Sequence, residues 1–360
     1  MRVKQLFPAL LLMATIARPV FAQDLKPLDP DRDPDRIDWS QLQEKLGPLP
    51  KISKQPVRIG GVEKTMINEY WRQLADGYKI PDKALEGDLK VTVDVQAAQD
   101  EHDQLGQLAI AESMVTKGYH ALLASPITDA NLQPGIESAE AANIPVIDVD
   151  DAVVPQAKHF VGNVQNDNGV RAARWFIKNH PDGGKVAVVE GIAGSYAAAN
   201  RTAGFVKTIT TESNKFKVAA SVPGNWDRQL SYDVASNTLQ RIPDLVGFYC
   251  NNDGMALGVV EAVKAAGKLK QVAVIGTDGI SDAYKSIQAG ELTATVDSFP
   301  VLTGQVAREV ALRLVAGQKV PRVIATPQAL VTKENYERYK ADPEKAKLAL
   351  IEDAKTEVAK

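Results

Sequence analysis

The feature that most constrains the fold is a regular alternation of short β-rich runs with longer helical runs, which begins near Val57. Strands that alternate with helices in this way are typical of βαβ units in a parallel sheet. The apolar runs at 186–189 and 272–275 predict strands that helices cover on both faces. The sequence therefore predicts an α/β fold with doubly wound parallel sheets. The predicted strands are 57–61, 89–96, 121–125, 146–150, 185–190, 217–222, 245–251 and 272–278. The predicted helices are 68–77, 103–117, 131–142, 166–179, 197–211, 228–240 and 253–266.

The chain has 360 residues, which suits two smaller sheets better than one large one. A break after the fourth strand predicts a first lobe of residues 56–163 and a second lobe of residues 164–298. A strand-like run at 292–300 and a helix at 302–316 return the chain to the first lobe, so that 299–326 belong there. Residues 327–345 then complete the second lobe.

Two further segments flank the lobes. Residues 23–55 form a Pro- and Asp-rich arm, in which 37–46 fit a short amphipathic helix. Residues 346–360 form a charged tail with helical spacing, which we expect to be solvated.

The N-terminus predicts export. Arg2 and Lys4 precede an apolar run at 6–16. Val20 and Ala22 then place small residues at the two positions that a signal peptidase recognises. This is the pattern of a signal peptide at 1–22 that is cleaved after about Ala22. A membrane anchor is the alternative, but a span needs about 20 apolar residues.

Composition excludes several function classes. The net charge of −3 gives no reason to expect nucleic acid. The four histidines show no metal-ligand spacing, and neither a phosphate-binding loop nor a G-x-S-x-G nucleophile motif is present. Cys250 is the only cysteine and lies in an apolar run, which indicates a buried thiol. We expect no metal, no cofactor and no catalysis.

Polar and aromatic residues follow almost every predicted strand. Ligands of open α/β sheets bind beyond the carboxyl ends of the strands. Carboxylates accept hydrogen bonds from adjacent hydroxyls, arginine donates in a fixed fork, and aromatic faces pack on sugar rings, so this set suits a hydroxylated ligand. Asp and Asn also cap helices, which is the favoured interpretation for Asp253, while both roles stay open for Asp150 and Asp278. The strand-end residues are Asn68, Tyr70, Trp71, Asp150, Asp151, Arg201, Trp226, Asn252 and Asp278.

Residues 57–331 resemble the ribose-binding family of periplasmic solute-binding proteins of ABC transporters, which have the type I periplasmic binding protein fold. The resemblance is carried by Asn252-Asp253-Gly254-Met255-Ala256-Leu257-Gly258, by Gly276-Thr277-Asp278-Gly279, by Gly191-Ile192-Ala193-Gly194 and by Ala142-Asn143-Ile144-Pro145-Val146-Ile147. It implies a periplasmic monomer whose two lobes, joined by a three-stranded hinge, close around a ligand for delivery to a membrane permease with its ATPase.

The resemblance also implies the ligand contacts. Tyr70 and Trp71 would pack on one face of the sugar and Trp226 on the other. The remaining contacts would come from Asn68 and Asp150 in the first lobe, and from Arg201, Asn252 and Asp278 in the second.

Three departures from the family pattern bear on the ligand. Asp151 follows Asp150 where the family often has arginine, and Ser298 replaces a ligand-binding glutamine. Glu63 and Lys64 stand where small polar residues are usual. Asp151 and Ser298 therefore join the predicted site. The paired acids favour a polyol, an amino sugar or another cation-bearing solute over ribose itself.

Three other functions are compatible with parts of the sequence: a periplasmic sensor, a repressor core and an exported enzyme. The same fold serves as a periplasmic sensor that reports to a sensor kinase or chemoreceptor, and the sequence leaves this alternative open. A repressor core would need an N-terminal helix-turn-helix, whereas this chain begins with a predicted signal peptide. An enzyme could use Asp150 and Asp151 as acid and base, but neighbouring residues of a strand point to opposite faces.

Overall fold

The computed structural model describes residues 26–150, 153–340 and 343–358. The predicted signal peptide, its cleavage site and Asp151 lie outside these residues. Within them, no helix combines the length and the apolar character that crossing a membrane requires.

The described residues alternate between strands and helices along almost their whole length. The strands are β1 (Arg36–Asp38), β2 (Val57–Glu63), β3 (Val91–Ala97), β4 (Ala121–Ala124), β5 (Val146–Val149), β6 (His159–Gly162), β7 (Gly184–Glu190), β8 (Phe216–Pro223), β9 (Leu245–Cys250), β10 (Ala273–Asp278), β11 (Ala294–Asp297), β12 (Val323–Ala325) and β13 (Ala329–Thr332). The helices are α1 (Leu42–Leu46), α2 (Glu69–Lys79), α3 (Lys83–Glu86), α4 (Gln104–Thr116), α5 (Gln133–Ala141), α6 (Gln165–Asn179), α7 (Tyr196–Thr211), α8 (Arg228–Arg241), α9 (Asp253–Ala265), α10 (Ser281–Ala289), α11 (Pro300–Val315), α12 (Tyr336–Lys340) and α13 (Pro343–Val358).

Two sheets define two lobes. The first sheet has the strand order β1-β12-β6-β5-β4-β2-β3, and all of its pairs are parallel. The second has the order β13-β11-β10-β9-β7-β8, in which only β13 runs antiparallel to its neighbour. Every residue of β4 and β5 is buried, as expected for strands with helices on both faces.

The chain passes between the lobes at three places. It leaves the first sheet after β6, returns from β11 to α11, which packs against α2, and leaves again between β12 and β13. We call these connections the crossover segments. The predicted α/β class with two lobes is confirmed, as are all eight predicted strands, all seven predicted helices and the return through β11 and α11.

The N-terminal arm departs from its predicted structure. Residues 36–38 form β1 and pair with β12 instead of starting a helix, and only Leu42–Leu46 are α-helical. Arg322 holds the arm through an ion pair to Asp33 at 3.1 Å. The arm therefore packs as part of the first lobe. Its strand β1 pairs with β12, which lies almost 300 residues further along the chain, and Trp39 and Leu42 are buried beside it.

The C-terminal tail is helical, as predicted, but one face of it is buried. In α13, Ala346 and Leu350 are buried while Leu348 is 66% exposed. The Asp353 carboxylate accepts hydrogen bonds from Arg338 at 2.6 Å and from the Tyr339 hydroxyl at 2.9 Å, which ties α13 to α12. The expectation of a solvated helix is thus wrong for this face, which packs over residues near the crossover segments.

Candidate ligand-binding site

A small cavity lies between the two lobes at the carboxyl ends of their strands. It is lined by seven of the ten predicted ligand-binding residues. These are Asn68, Tyr70 and Trp71 from the first lobe and Arg201, Trp226, Asn252 and Asp278 from the second. The eighth lining residue, Glu101, was not predicted. Residues that follow separate strands meet here because parallel strands all end at one edge of their sheet.

The first lobe contributes residues from the start of α2. Asn68 caps this helix, since its Oδ1 accepts a hydrogen bond from the Tyr70 N–H at 3.0 Å. Its amide nitrogen lies 3.5 Å from the Glu101 Oε1, on the side of the cavity. One asparagine can therefore cap a helix and line the site, because its amide carries an acceptor and a donor group.

Tyr70 and Trp71 are both buried, and their rings are nearly perpendicular. The ring centroids are 5.0 Å apart at an interplanar angle of 86°. A single flat ligand face could lie on the face of only one of them. Burial and the nearby charges of Asp150 and Asp278 hold the pKa of Tyr70 well above its ordinary value, so its hydroxyl stays protonated and can donate a hydrogen bond.

The second lobe contributes a buried ion pair. Arg201 of α7 is 2% exposed, and its Nη1 lies 3.4 Å from Asp278 Oδ1 at the end of β10. Its Nε donates to Gln165 Oε1 and its Nη1 to the Asn251 carbonyl, both at 2.7 Å. The guanidinium is therefore rigidly placed and holds a carboxylate at the cavity wall, where both charges can bond to hydroxyl groups.

Trp226 lines the cavity and packs against Gly191, the residue that follows β7. Its backbone has a φ of 62°, in the left-handed region that non-glycine residues rarely adopt. A Cβ at Gly191 would lie 2.1 Å from two ring carbons of Trp226. Only glycine at position 191 lets the indole lie against the end of β7.

Asn252, rather than Asp253, caps α9. The Asn252 Oδ1 accepts a hydrogen bond from the Met255 N–H at 2.9 Å. Asp253 is the first helical residue, and its Oδ2 accepts from the N–H groups of Gly279 and Ile280 at 2.8 and 3.1 Å. The capping role expected for Asp253 is therefore wrong. Its carboxylate instead fixes the loop that follows β10, the strand that ends in Asp278.

Two predicted residues lie beside the cavity without lining it. Asp150 is fully buried with a φ of 75°, and its Oδ1 is 3.4 Å from the Asn163 amide nitrogen. Ser298 is fully buried as well, and its N–H donates to the Asp278 carbonyl at 3.1 Å. Both are therefore neighbours of lining residues, Asp150 of Tyr70 and Ser298 of Asp278.

Two buried ionisable residues, Glu63 and Lys64, stand at the end of β2. Lys64 is 3% exposed, and its Nζ is 4.9 Å from the centroid of the Trp71 ring. Glu63 is fully buried, and desolvation raises the pKa of its carboxyl to about 8. The nearby hydroxyls of Tyr78 and Ser125 offset only part of that rise. Glu63 is thus neutral at pH 7.

Glu101 lies in the loop between β3 and α4, and it was missed although the rule for strand ends covers it. Its Oε1 accepts a hydrogen bond from the Trp71 Nε1 at 3.0 Å. The residues that follow the second predicted strand are mostly small or acidic, and they include no Trp, Tyr or Phe that would indicate a sugar-binding loop.

Two α/β lobes with three crossover segments, and a polar and aromatic cavity between them, define the class of two-lobed ligand receptors. A family model described as a periplasmic binding protein domain matches residues 59–319. The chain belongs to this family.

Named relatives agree with this assignment. The chain is 35% identical over 277 residues to the D-allose-binding periplasmic protein of Escherichia coli (strain K12), which covers 74% of this chain and 86% of the relative. An ABC transporter periplasmic solute-binding protein of Actinobacillus succinogenes 130z, solved with bound D-allose, is 29% identical with a TM-score of 0.73. That match covers 79% of this chain and 100% of the other. A solute-binding protein of Bacillus halodurans C-125, solved with bound myo-inositol, is 26% identical with a TM-score of 0.71, covering 80% and 98%.

Proposed function

We propose that this protein is the periplasmic substrate-binding component of an ABC importer for a sugar or polyol, and that it binds by hinge closure. It acts without catalysis and hands the closed complex to a membrane permease with its ATPase. The ligand is a neutral or amino-bearing polyhydroxylated ring. Its contacts are the seven predicted residues that line the cavity.

The cavity between the lobes is the observation that carries this proposal. It combines a buried Arg201–Asp278 pair with Tyr70, Trp71 and Trp226. A charged pair offers both donors and acceptors to hydroxyl groups, while aromatic rings cover the C–H faces of a sugar.

The relatives favour transport over signalling. The similar protein of Actinobacillus succinogenes is named as part of an ABC transporter, and its bound D-allose is a sugar. The bound myo-inositol of the Bacillus halodurans protein is a cyclic polyol. A sensor that reports to a kinase would use the same fold, but no feature of the described residues favours it.

The test is a thermal-shift screen with D-allose, D-ribose, myo-inositol and D-glucosamine, followed by titration calorimetry. We expect at least one of these compounds to bind with a Kd of about 1 µM or tighter, equivalent to about 8 kcal/mol. Small-angle scattering should then show a smaller radius of gyration with ligand than without. If no compound of a broad sugar and polyol panel raises the Tm, the proposed function is wrong.

Export, oligomeric state and lobe boundaries belong to the same proposal. We propose cleavage after about Ala22, a monomer in the periplasm, and lobe boundaries near residues 163, 298 and 326. N-terminal sequencing of the mature protein from a periplasmic fraction tests the cleavage site. Light scattering tests the monomer, and a mass of twice the chain would contradict it.

A further inference from the structure

Glu101 is the one cavity-lining residue that neither the strand-end analysis nor the family resemblance assigned. It is half-buried and borders both the small cavity and a wider neighbouring pocket, which share Asn68, Trp226 and Asn252 as well. Its Oε1 lies 3.0 Å from the Trp71 Nε1 and 3.5 Å from the Asn68 amide nitrogen. One carboxylate oxygen thus faces two side chains of the proposed site.

The Trp71 indole is held on several sides. Glu101 accepts the hydrogen of its only polar group, Lys64 Nζ lies over its ring, and Tyr70 meets it edge to face. A buried indole N–H needs a partner, and a carboxylate makes a stronger bond than a neutral acceptor. Among these contacts, only the hydrogen bond to Glu101 fixes the direction of the polar edge of the ring.

Two neighbouring carboxylates organise the loop that carries Glu101. Asp103 caps α4, with its Oδ1 accepting from the Gly106 N–H at 2.9 Å, and its Oδ2 accepts from the Gln99 N–H at 3.2 Å. Asp100 Oδ1 accepts from the His102 N–H at 2.8 Å. Asp100 and Asp103 therefore shape the turn, and the Glu101 carboxylate contacts Trp71 and Asn68 of the site.

We propose that Glu101 is a positioning residue of the ligand-binding site, whose carboxylate sets the plane of the Trp71 indole and the direction of the Asn68 amide. The ligand then meets a preformed aromatic and polar surface, and less conformational freedom is lost on binding. This inference rests on the proposed function, because it requires a ligand in the cavity.

The experiment compares Glu101→Ala with Glu101→Gln, which keeps an oxygen acceptor. The probe is whichever compound of the four-member panel binds the wild-type protein most tightly. We expect Glu101→Ala to raise the Kd about tenfold and Glu101→Gln to stay within about threefold of wild type. Glu112→Ala on the exposed side of α4 is the control, and it should bind as the wild type does.

A second readout follows the indole itself. The Trp71 side-chain N–H signal in ¹H–¹⁵N spectra is assigned by its absence in Trp71→Phe. It should move toward the position of solvated indoles in Glu101→Ala and stay near its wild-type position in Glu101→Gln. In a Trp71→Phe background, Glu101→Ala should add no more than about twofold to threefold to the Kd, because the two residues act as a unit.

Each other result overturns the proposal. Wild-type affinity in Glu101→Ala, or an unmoved indole signal, would mean that Glu101 does not hold Trp71. A Glu101→Gln variant as weak as Glu101→Ala would show that the ligand senses the charge itself and not the ring position. If the alanine variant does not fold, Glu101→Ser takes its place. If the wild type binds no sugar or polyol, the proposed function fails, and the indole signal alone decides whether Glu101 positions Trp71.

Discussion

Glu69, the first residue of α2 in the first lobe, accepts hydrogen bonds from Ser281, the first residue of α10 in the second lobe. Both the backbone N–H of Ser281, at 3.2 Å, and its hydroxyl donate to the same carboxylate oxygen. The contact bridges the lobes directly, beside the cavity. It can exist only while the lobes are close together, so it stabilises the closed arrangement.

Replacing Glu69 with alanine should therefore weaken ligand binding without touching the ligand. Ser281 is exposed and Glu69 is only partly buried, so we expect a modest rise in the Kd of about two- to tenfold, mainly through faster dissociation. Stopped-flow fluorescence and calorimetry measure the two quantities. Asp76→Ala, on an exposed position of the same helix, serves as the control. An unchanged dissociation rate in Glu69→Ala would show that the contact does not contribute to closure.

Asp278→Ala should weaken ligand binding by at least about 30-fold while the protein stays folded. The substitution removes a carboxylate from the cavity wall and leaves the buried Arg201 guanidinium without one of its partners. Truncating one member of a buried, hydrogen-bonded charge pair costs about 2–5 kcal/mol in affinity, or roughly 30-fold to several thousand-fold. Calorimetry gives the affinity, and circular dichroism verifies the fold. Wild-type affinity in this variant would remove Asp278 from the proposed site.

Gly191→Ala should reproduce much of the effect of Trp226→Ala, although position 191 need not touch the ligand. The new Cβ would lie 2.1 Å from ring carbons of Trp226, so the indole must move. We expect each variant to raise the Kd by about 5- to 30-fold, since aromatic anchors typically contribute more than about 1 kcal/mol. The double variant should bind no worse than Trp226→Ala alone. Additive losses in the double variant would instead indicate two independent effects.

Glu63 should make the protein less stable as the pH rises. Its pKa is about 8 in the folded chain and 4.5 in the reference state, so between these values the folded protein holds a proton that the unfolded chain has lost. The free energy of unfolding then falls with pH by up to about 1.4 kcal/mol per unit in this window. The stabilisation is complete below about pH 4.5 and is lost as the pH rises through about 8.

Glu63→Gln should remove this part of the pH dependence, because the amide mimics the neutral carboxyl. Urea unfolding at several pH values between 5 and 8 measures the slope for both proteins. Glu112→Gln, an exposed position, should keep the wild-type slope. Equal slopes in Glu63→Gln and the wild type would mean that the buried carboxyl does not titrate in this range.

The tail offers a matched pair of leucines. Leu350 is 3% exposed and Leu348 is 66% exposed, and both lie on α13. Leu350→Ala should lower the docking free energy of the helix by about 2 kcal/mol, whereas Leu348→Ala should change it by less than about 0.5 kcal/mol. Hydrogen exchange in 343–358 measures this local opening. Equal exchange rates in the two variants would contradict the burial of the Leu350 face of α13.

Much of the site was predictable from residues near one another in the chain. The alternation of strands and helices placed Asn68, Asn252 and Asp278 near strand ends and Arg201 in the helix that follows the fifth strand, and the structure brings these four to one cavity. Asn68 and Asn252 also cap helices, and this role does not exclude a role in the site. An amide can cap a helix with its oxygen while its nitrogen bonds to another partner. Asp253 was misjudged because both it and Asn252 fit a cap, and only the approach of the β10–α10 loop distinguishes them.

The short strands were the least predictable part of the fold. The strands β1, β6, β12 and β13 have only three or four residues and were missed, whereas the equally short β4, β5 and β11 were predicted from the strand–helix alternation around them. In β1, Ile37 pairs with Ile324, and this partner decides that the segment is a strand rather than a helix. The same dependence on distant partners explains the buried face of α13.

The amino-acid sequence by itself determined the α/β architecture, the two lobes and the strand ends at which a ligand would be held, because these follow from local periodicity and from turn and cap chemistry. Only the tertiary structure decided which strand-end side chains line the cavity, that Tyr70 and Trp71 stand perpendicular, and that Glu101 holds the Trp71 indole. The physical reason is that the orientation of a side chain depends on the residues packed around it, and most of those lie far away in the chain.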